Sequence, residues 1–195
     1  LDPGHGGVDV GATASNGIEE KILTLAFARR LQEILINTGR FDVALTRDNA
    51  TFLRLEERVQ LARANKANLL LSIHADSFED LAVRGASVYT RDELATDVLD
   101  HVLAEQENRA DLVGGFVPTE AEPAIVDLLV DLMRRETRRQ SFIAASAIMD
   151  QVQPSIYVRR FPRRRADFYV LQSPEVPSIL FELGFLSNEE DARNL

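Results

Sequence analysis

Apolar residues along the chain recur at either helical or strand spacing, and the two patterns alternate. Over 18–38, Ile22, Leu25, Ala26, Leu31, Leu35 and Ile36 predict a helix that stops at Gly39. Residues 41–46 read as a short strand. A helix is predicted over 53–66 through Leu55, Val59, Leu61 and Ala62, followed by a buried strand over 69–73. Another strand is expected over 84–90 and a helix over 94–108. The pattern lapses from Arg109 to about Glu122. Pro123 then opens a helix reaching Arg139, with Ile125, Leu128, Leu129, Leu132 and Met133 on one face, and a separate helix spans 141–152. The arginine-rich 159–165 stretch reads as a loop, and 168–171 and 178–181 as strands. Ser187-Asn188-Glu189-Glu190 has capping-box spacing and opens a final helix.

Such alternation implies an α/β fold: a single domain with a mixed, mostly parallel twisted sheet of about six strands, flanked by helices. The segment 107–140 is expected to be a helical insertion. The chain opens on Leu1-Asp2-Pro3-Gly4, and α/β folds usually lead into such a turn with a strand, so the N-terminal strand is expected to be truncated. At 195 residues, 45% hydrophobic and 27% charged, one folded domain is the natural reading. The net charge of -9 disfavours a nucleic-acid partner, because phosphate binding needs a cationic surface. Cysteine is absent, so any metal must be held by imidazole, carboxylate or water. No apolar run approaches the roughly 20 residues of a membrane span, and no signal-peptide pattern is present.

Of the three histidines, two stand where chemistry is expected. His74 follows the strand over 69–73, and ligands of open α/β sheets gather beyond the carboxyl ends of strands. His5 lies between Gly4 and Gly6-Gly7, where missing side chains allow close approach. His101 lies within a helix and receives no role. Glu182 ends the apolar strand Ile179-Leu180-Phe181, where an unpaired carboxylate would be costly. A catalytic zinc takes three protein ligands and one water. His5 and His74 therefore need a carboxylate, and composition does not choose among 31 acids.

Six blocks in order carry a resemblance. They are Leu1-Asp2-Pro3-Gly4-His5-Gly6-Gly7, Glu20-Lys21, Leu45-Thr46-Arg47, Ser72-Ile73-His74-Ala75-Asp76, Arg84 to Tyr89, and Pro177 to Asn188. End to end, the chain resembles the zinc-dependent N-acetylmuramoyl-L-alanine amidases of bacterial cell walls. The resemblance implies one zinc ion held by His5, Glu20 and His74, with Glu182 as catalytic acid/base. It also implies peptidoglycan as substrate, cut between the lactyl group of N-acetylmuramic acid and L-alanine. Glu19 also begins the first helix, but the family pattern of Glu followed by Lys selects Glu20.

Glu107-Asn108-Arg109-Ala110-Asp111 with Gly114-Gly115 resembles a segment of the exported amidases that separate daughter cells, in which an added helical region covers the site until an activator protein displaces it. That implies an autoinhibited, periplasmic enzyme. Glu107 is the leading candidate for an inhibitory fourth metal ligand, with Glu120, Glu122 and Glu136 behind it. The arginines at 159, 160, 163, 164 and 165 read equally well as a grip on stem-peptide carboxylates or as a solvated loop. Two other readings stay open: a catalytically inactive wall-binding or regulatory module of the same fold, and a nucleic-acid binder working through the arginine loop.

Overall fold

A computed structural model gives the fold and describes residues 1–116 and 128–195, with side chains from 132 onward in the second stretch. Five strands form one sheet: β1 (Asp2–Pro3), β2 (Leu70–His74), β3 (Ala86–Arg91), β4 (Val158–Ala166) and β5 (Ser178–Glu182). Their order is β1-β2-β5-β3-β4. The pairs β1/β2, β2/β5 and β3/β4 are parallel, and β3/β5 is antiparallel. The helices are α1 (Glu20–Asn37), α2 (Leu55–Ala64), α3 (Val98–Asn108), α4 (Ala110–Val113), α5 (Leu128–Val152) and α6 (Glu189–Asn194).

Alternation along the strands divides the core. Leu71, Ile73, Ala86, Val88, Ile179 and Phe181 face Ala28 of α1 and Ala145 and Met149 of α5. Tyr89, Ala166 and Leu180 face the opposite way, toward Leu55 of α2 and Leu103 and Ala104 of α3. Complete burial of Ile179 and Leu180 contributes about 2 kcal/mol each. Because β2 and β5 are parallel and in register, His74 pairs with Glu182 across their carboxyl ends.

Five strands form where about six were expected, and three segments account for the difference. Residues 41–46 hold no strand; Ala44 O accepts from Leu1 N, Thr46 N donates to Leu1 O, and Val43 O accepts from the Gln32 side chain. Residues 169–171 form a single 3-10 turn, since Val170 and Leu171 are both buried rather than alternating. Conversely, the arginine loop is the edge strand β4. Arg164 and Ala166 turn inward while Arg163 and Arg165 face solvent, and Pro162 is tolerated because the strand lies at the edge.

The helices expected on either side of Gln140 are one continuous helix, α5, with no break there. Pro123, Ile125, Glu120 and Glu122 lie outside the described residues, as do the side chains of Leu128 and Leu129. On the described part of the predicted stripe, Leu132 and Met133 are exposed. The final helix is capped by Asn188, whose side chain accepts from Glu190 N and Asp191 N, rather than by Ser187. The Ser187 hydroxyl accepts instead from Phe78 N. Among the described residues no helix is long and apolar enough to cross a membrane.

Beneath the first turn lies a buried ionic cluster. Asp2 accepts from Arg58, Thr46 and Ser72 at 2.8, 2.6 and 2.7 Å. Burial raises the Asp2 pKa, but Arg58 and these hydrogen bonds outweigh it and hold it at about 2. A folded-state pKa below the unfolded value of 3.8 means that the unfolded chain takes up the proton first. The stabilisation, on the order of 2 kcal/mol, is complete above pH 4 and is lost as pH falls toward 2. Replacing Asp2 with Asn should lower unfolding free energy at pH 7 by about 3 kcal/mol, because Arg58 is left buried and unpaired. Urea titrations from pH 7 to 2 should also show a flatter acid limb in the variant.

Candidate metal centre

The turn after β1 delivers His5 in the left-handed region, with φ 59°. Its carbonyl accepts from Arg58 Nη2 at 2.8 Å, and Arg47 donates to Pro3 O and Gly4 O at 3.0 and 2.6 Å. Two buried guanidinium groups thus satisfy the carbonyls of a turn that makes little ladder pairing of its own. The neighbouring Arg58 and burial lower the Arg47 pKa to about 10, burial being the larger cause, so it remains charged at neutral pH. Close approach here requires glycine. A Cβ on Gly4 would stand 2.4 Å from His74 Cε1, and one on Gly11 2.6 Å from Glu20 Oε2.

The structure brings His5, Glu20 and His74 together, and adds Glu107. Glu20 Oε1 stands 3.0 Å from His5 Nε2 and 3.2 Å from His74 Nδ1. Glu107, near the end of α3, places Oε1 3.6 Å from His5 Nε2 and Oε2 3.1 Å from His74 Nδ1. Donor atoms of His5, His74 and Glu107 all lie within 4.8 Å of one another. Despite these separations, neither imidazole nitrogen makes an aligned hydrogen bond, and both are buried. Four nitrogen and oxygen donors at about 2.0–2.1 Å from a tetrahedral cation would stand about 3.3–3.4 Å apart. The separations of the two imidazole nitrogens from the Glu20 and Glu107 oxygens bracket that value, and among the described residues His5, His74 and Glu107 are the set that fits a divalent cation, with Glu20 against both imidazoles.

Supporting contacts fix the donors. Asp9 Oδ2 meets His5 Nδ1 at 2.9 Å, which leaves Nε2 to face the cluster. Glu20, the first residue of α1, is fully buried and accepts from Ala75 N and Ala12 N, both at 2.8 Å. Burial opposes a proton on His5, yet Glu20 and Glu107 outweigh it and hold the imidazole well above its usual range. Burial likewise opposes charge on Glu20, and His5 followed by His74 overcomes it, holding the carboxyl well below its usual range. Two imidazoles ringed by Asp9, Glu20, Asp76, Glu107 and Glu182 favour a cation at their centre.

Glu182 is buried and accepts from Asp76 N at 2.7 Å. Burial, then the carboxylates of Asp76 and Glu20, push its pKa well above the usual range. Asp76 was not given a role by the sequence, although it lies in the Ser-Ile-His-Ala-Asp block. Only its burial beside Glu182 singles it out.

Of the remaining candidates, Glu136 is exposed and bonds Arg139 and Gln140 rather than an imidazole of the cluster. His101 is exposed and 3.8 Å from Glu105. Glu19 precedes α1 and pairs with Lys21. The arginines are largely self-neutralised: Arg164 and Arg159 reach buried Asp100 of α3, Arg163 pairs with Asp150, and Arg165 with Asp92.

Comparison with known proteins agrees with this geometry. The family model for N-acetylmuramoyl-L-alanine amidase matches residues 1–195. The chain is 40% identical over 196 residues to N-acetylmuramoyl-L-alanine amidase AmiA of Escherichia coli (strain K12), covering all of this chain and 68% of that protein. It is 36% identical to AmiC of Neisseria meningitidis serogroup B, covering all of this chain and 47% of that protein. Among solved structures, AmiC2 of Nostoc punctiforme superposes with a TM-score of 0.63 at 28% identity, covering 98% of this chain and 81% of that one. Matched along its whole length, the chain belongs to the N-acetylmuramoyl-L-alanine amidase family.

Proposed function

We propose that this amidase cuts peptidoglycan between N-acetylmuramic acid and L-alanine with one zinc ion held by His5, Glu20 and His74. Glu107 fills the fourth coordination position until an activator protein draws it away. The carrying observation is the pair of buried imidazole nitrogens, unbonded yet within 3.0–3.6 Å of Glu20 and Glu107 oxygens. When bound, zinc supplies a Lewis acid that polarises the amide carbonyl and eases deprotonation of water. Glu182 takes the proton of the attacking water and returns it to the L-alanine nitrogen as the C–N bond breaks. Asp9 keeps His5 in the tautomer that presents Nε2. The backbone amides of Ala12 and Ala75 orient Glu20.

Occlusion by α3 and α4 is supported by how that segment is held. Asn108 donates to Asp167 O and accepts from Tyr169 N, and Asp111 accepts from Leu55 N at the start of α2. The cavity lined by His5, His74 and Glu107 has a volume of about 10 Å³, room for a water but not for a sugar and peptide. The substrate lies outside the cytoplasmic membrane, so the enzyme works after export. The resemblance of the 107–115 segment points to the periplasm and to daughter-cell separation. Residues 107–140 form its regulatory segment.

Replacing Glu182 with Gln should leave zinc content at one ion per chain while hydrolysis of purified peptidoglycan falls by about 100-fold or more. Glu20→Ala should lose the ion itself, read by metal analysis after dialysis. Glu107→Ala should keep zinc and release soluble muropeptides several-fold faster than the parent without any activator. An unchanged rate from a folded, zinc-loaded Glu107→Ala protein would contradict the occlusion.

A further inference from the structure

Beyond Glu107 the covering segment has little to hold it down by burial. The single turn α4 buries none of its residues, and Leu112 and Val113 are exposed. A helix this short does not persist on its own. Its end is nevertheless built to a defined shape. Gly115 takes φ 81°, Gly115 N donates to Leu112 O at 3.0 Å, and Phe116 N donates to Asp111 O at 2.8 Å. These are the paired bonds of a helix closed by a left-handed glycine, and they turn the chain back so that the Phe116 ring meets the domain.

Phe52 and Arg54 receive that ring. The rings of Phe52 and Phe116 are stacked, with centroids 6.1 Å and planes 5° apart, and the Arg54 guanidinium lies 5.1 Å from the centre of the Phe116 ring. Glu57 accepts from Arg54 Nη2 at 3.3 Å and steadies it. Gly114 allows the close approach, since a Cβ there would collide with Cε1 and Cζ of Phe52. Phe52 in turn packs on the turn that carries His5: a Cβ on Gly7 would stand 2.9 Å from Phe52 Cβ. Three residues on, Leu55 donates its N–H to Asp111 and lines the small cavity with His5, His74 and Glu107. The aromatic contact and the metal cluster are thus two ends of one covered strip.

We infer that Phe116, seated against Phe52 and Arg54, is the latch of the covering segment: it fastens the far end of the segment and so keeps Glu107 at the imidazoles. The latch rests on the occlusion proposed above and adds to it a second contact, made well away from the metal ligands. Closed and open positions of the segment form an equilibrium, and each contact biases it toward the closed one. Loss of a stacked ring and its cation contact shifts such an equilibrium about 3- to 10-fold toward the open position. Phe116 is 44% exposed, so a partner protein can reach and unseat the ring without first entering the metal site.

The test uses the full zinc-loaded chain without an activator and reads two quantities: amide hydrogen exchange over residues 107–116, and release of soluble muropeptides from purified peptidoglycan. Phe116→Ala, which touches neither the metal ligands nor Glu182, should raise both about 3- to 10-fold with zinc content unchanged. Gly114→Ala, whose added methyl collides with the Phe52 ring, should act in the same direction. Phe116→Tyr, which keeps the stacked ring, should match the parent. Glu107→Ala is measured beside them. If it cuts faster than the parent while Phe116→Ala and Gly114→Ala exchange and cut like the parent, the latch is overturned and the occlusion stands. Faster exchange in Phe116→Ala with no gain in rate, beside an activated Glu107→Ala, also overturns the latch alone. If neither Glu107→Ala nor Phe116→Ala gains activity, the occlusion fails and the latch with it.

Discussion

Everything at the site depends on the charge pair between Arg58 and Asp2, with Arg47 beside it. The turn carrying His5 makes few ladder bonds of its own, and β1 is two residues long. Its carbonyls at Pro3, Gly4 and His5 are instead taken up by the two guanidinium groups. Asp2 makes this possible by giving Arg58 a buried counter-charge. A lysine in place of either arginine would offer one compact charge rather than a fork spanning several carbonyls. Held in this way, His5 keeps a backbone conformation that a non-glycine residue rarely adopts, and its ring is turned toward His74.

A second anchor works on the opposite side of the cluster. Asp100 in the first turn of α3 is fully buried among Tyr89, Arg159 and Arg164, so one end of the helix is fixed to β3 and β4. The other end carries Glu107 and Asn108 over the imidazoles. Asn108 and Asp111 dock it through hydrogen bonds to the 167–169 backbone and to the start of α2. The two ends of this arm differ in kind. A buried multi-arginine ion cluster resists exchange with water, whereas a few backbone contacts near the surface are replaced at little cost. The proposed release of Glu107 would therefore free the carboxyl end of α3 while its amino end stays in place.

Much of this was legible in the sequence, for physical reasons. The strands that end at His74 and Glu182 are short apolar runs bounded by a polar residue, so both the elements and the edge they share could be read. The glycines around His5 signalled close approach, and Gly4 and Gly11 are indeed too close to His74 and Glu20 for a side chain. The strand β4 was missed because its inward residues include an arginine, and only the buried Asp100 explains how that charge is tolerated. The 3-10 turn at 169–171 was read as a strand because an apolar run carries no mark of its backbone. The continuity of α5 through Gln140 and the burial of Asp76 are properties of packing that no local spacing announces. Glu107 was selected by its block, while its distance to the imidazoles could come only from the fold.

The most direct test is a crystal structure of the zinc-loaded chain without an activator. The account predicts one ion bound by His5 Nε2, Glu20, His74 Nδ1 and a Glu107 oxygen, with Glu182 alongside and outside the coordination sphere. An ion bound elsewhere, or bound by the two histidines with Glu20 or Glu107 turned away, would contradict it.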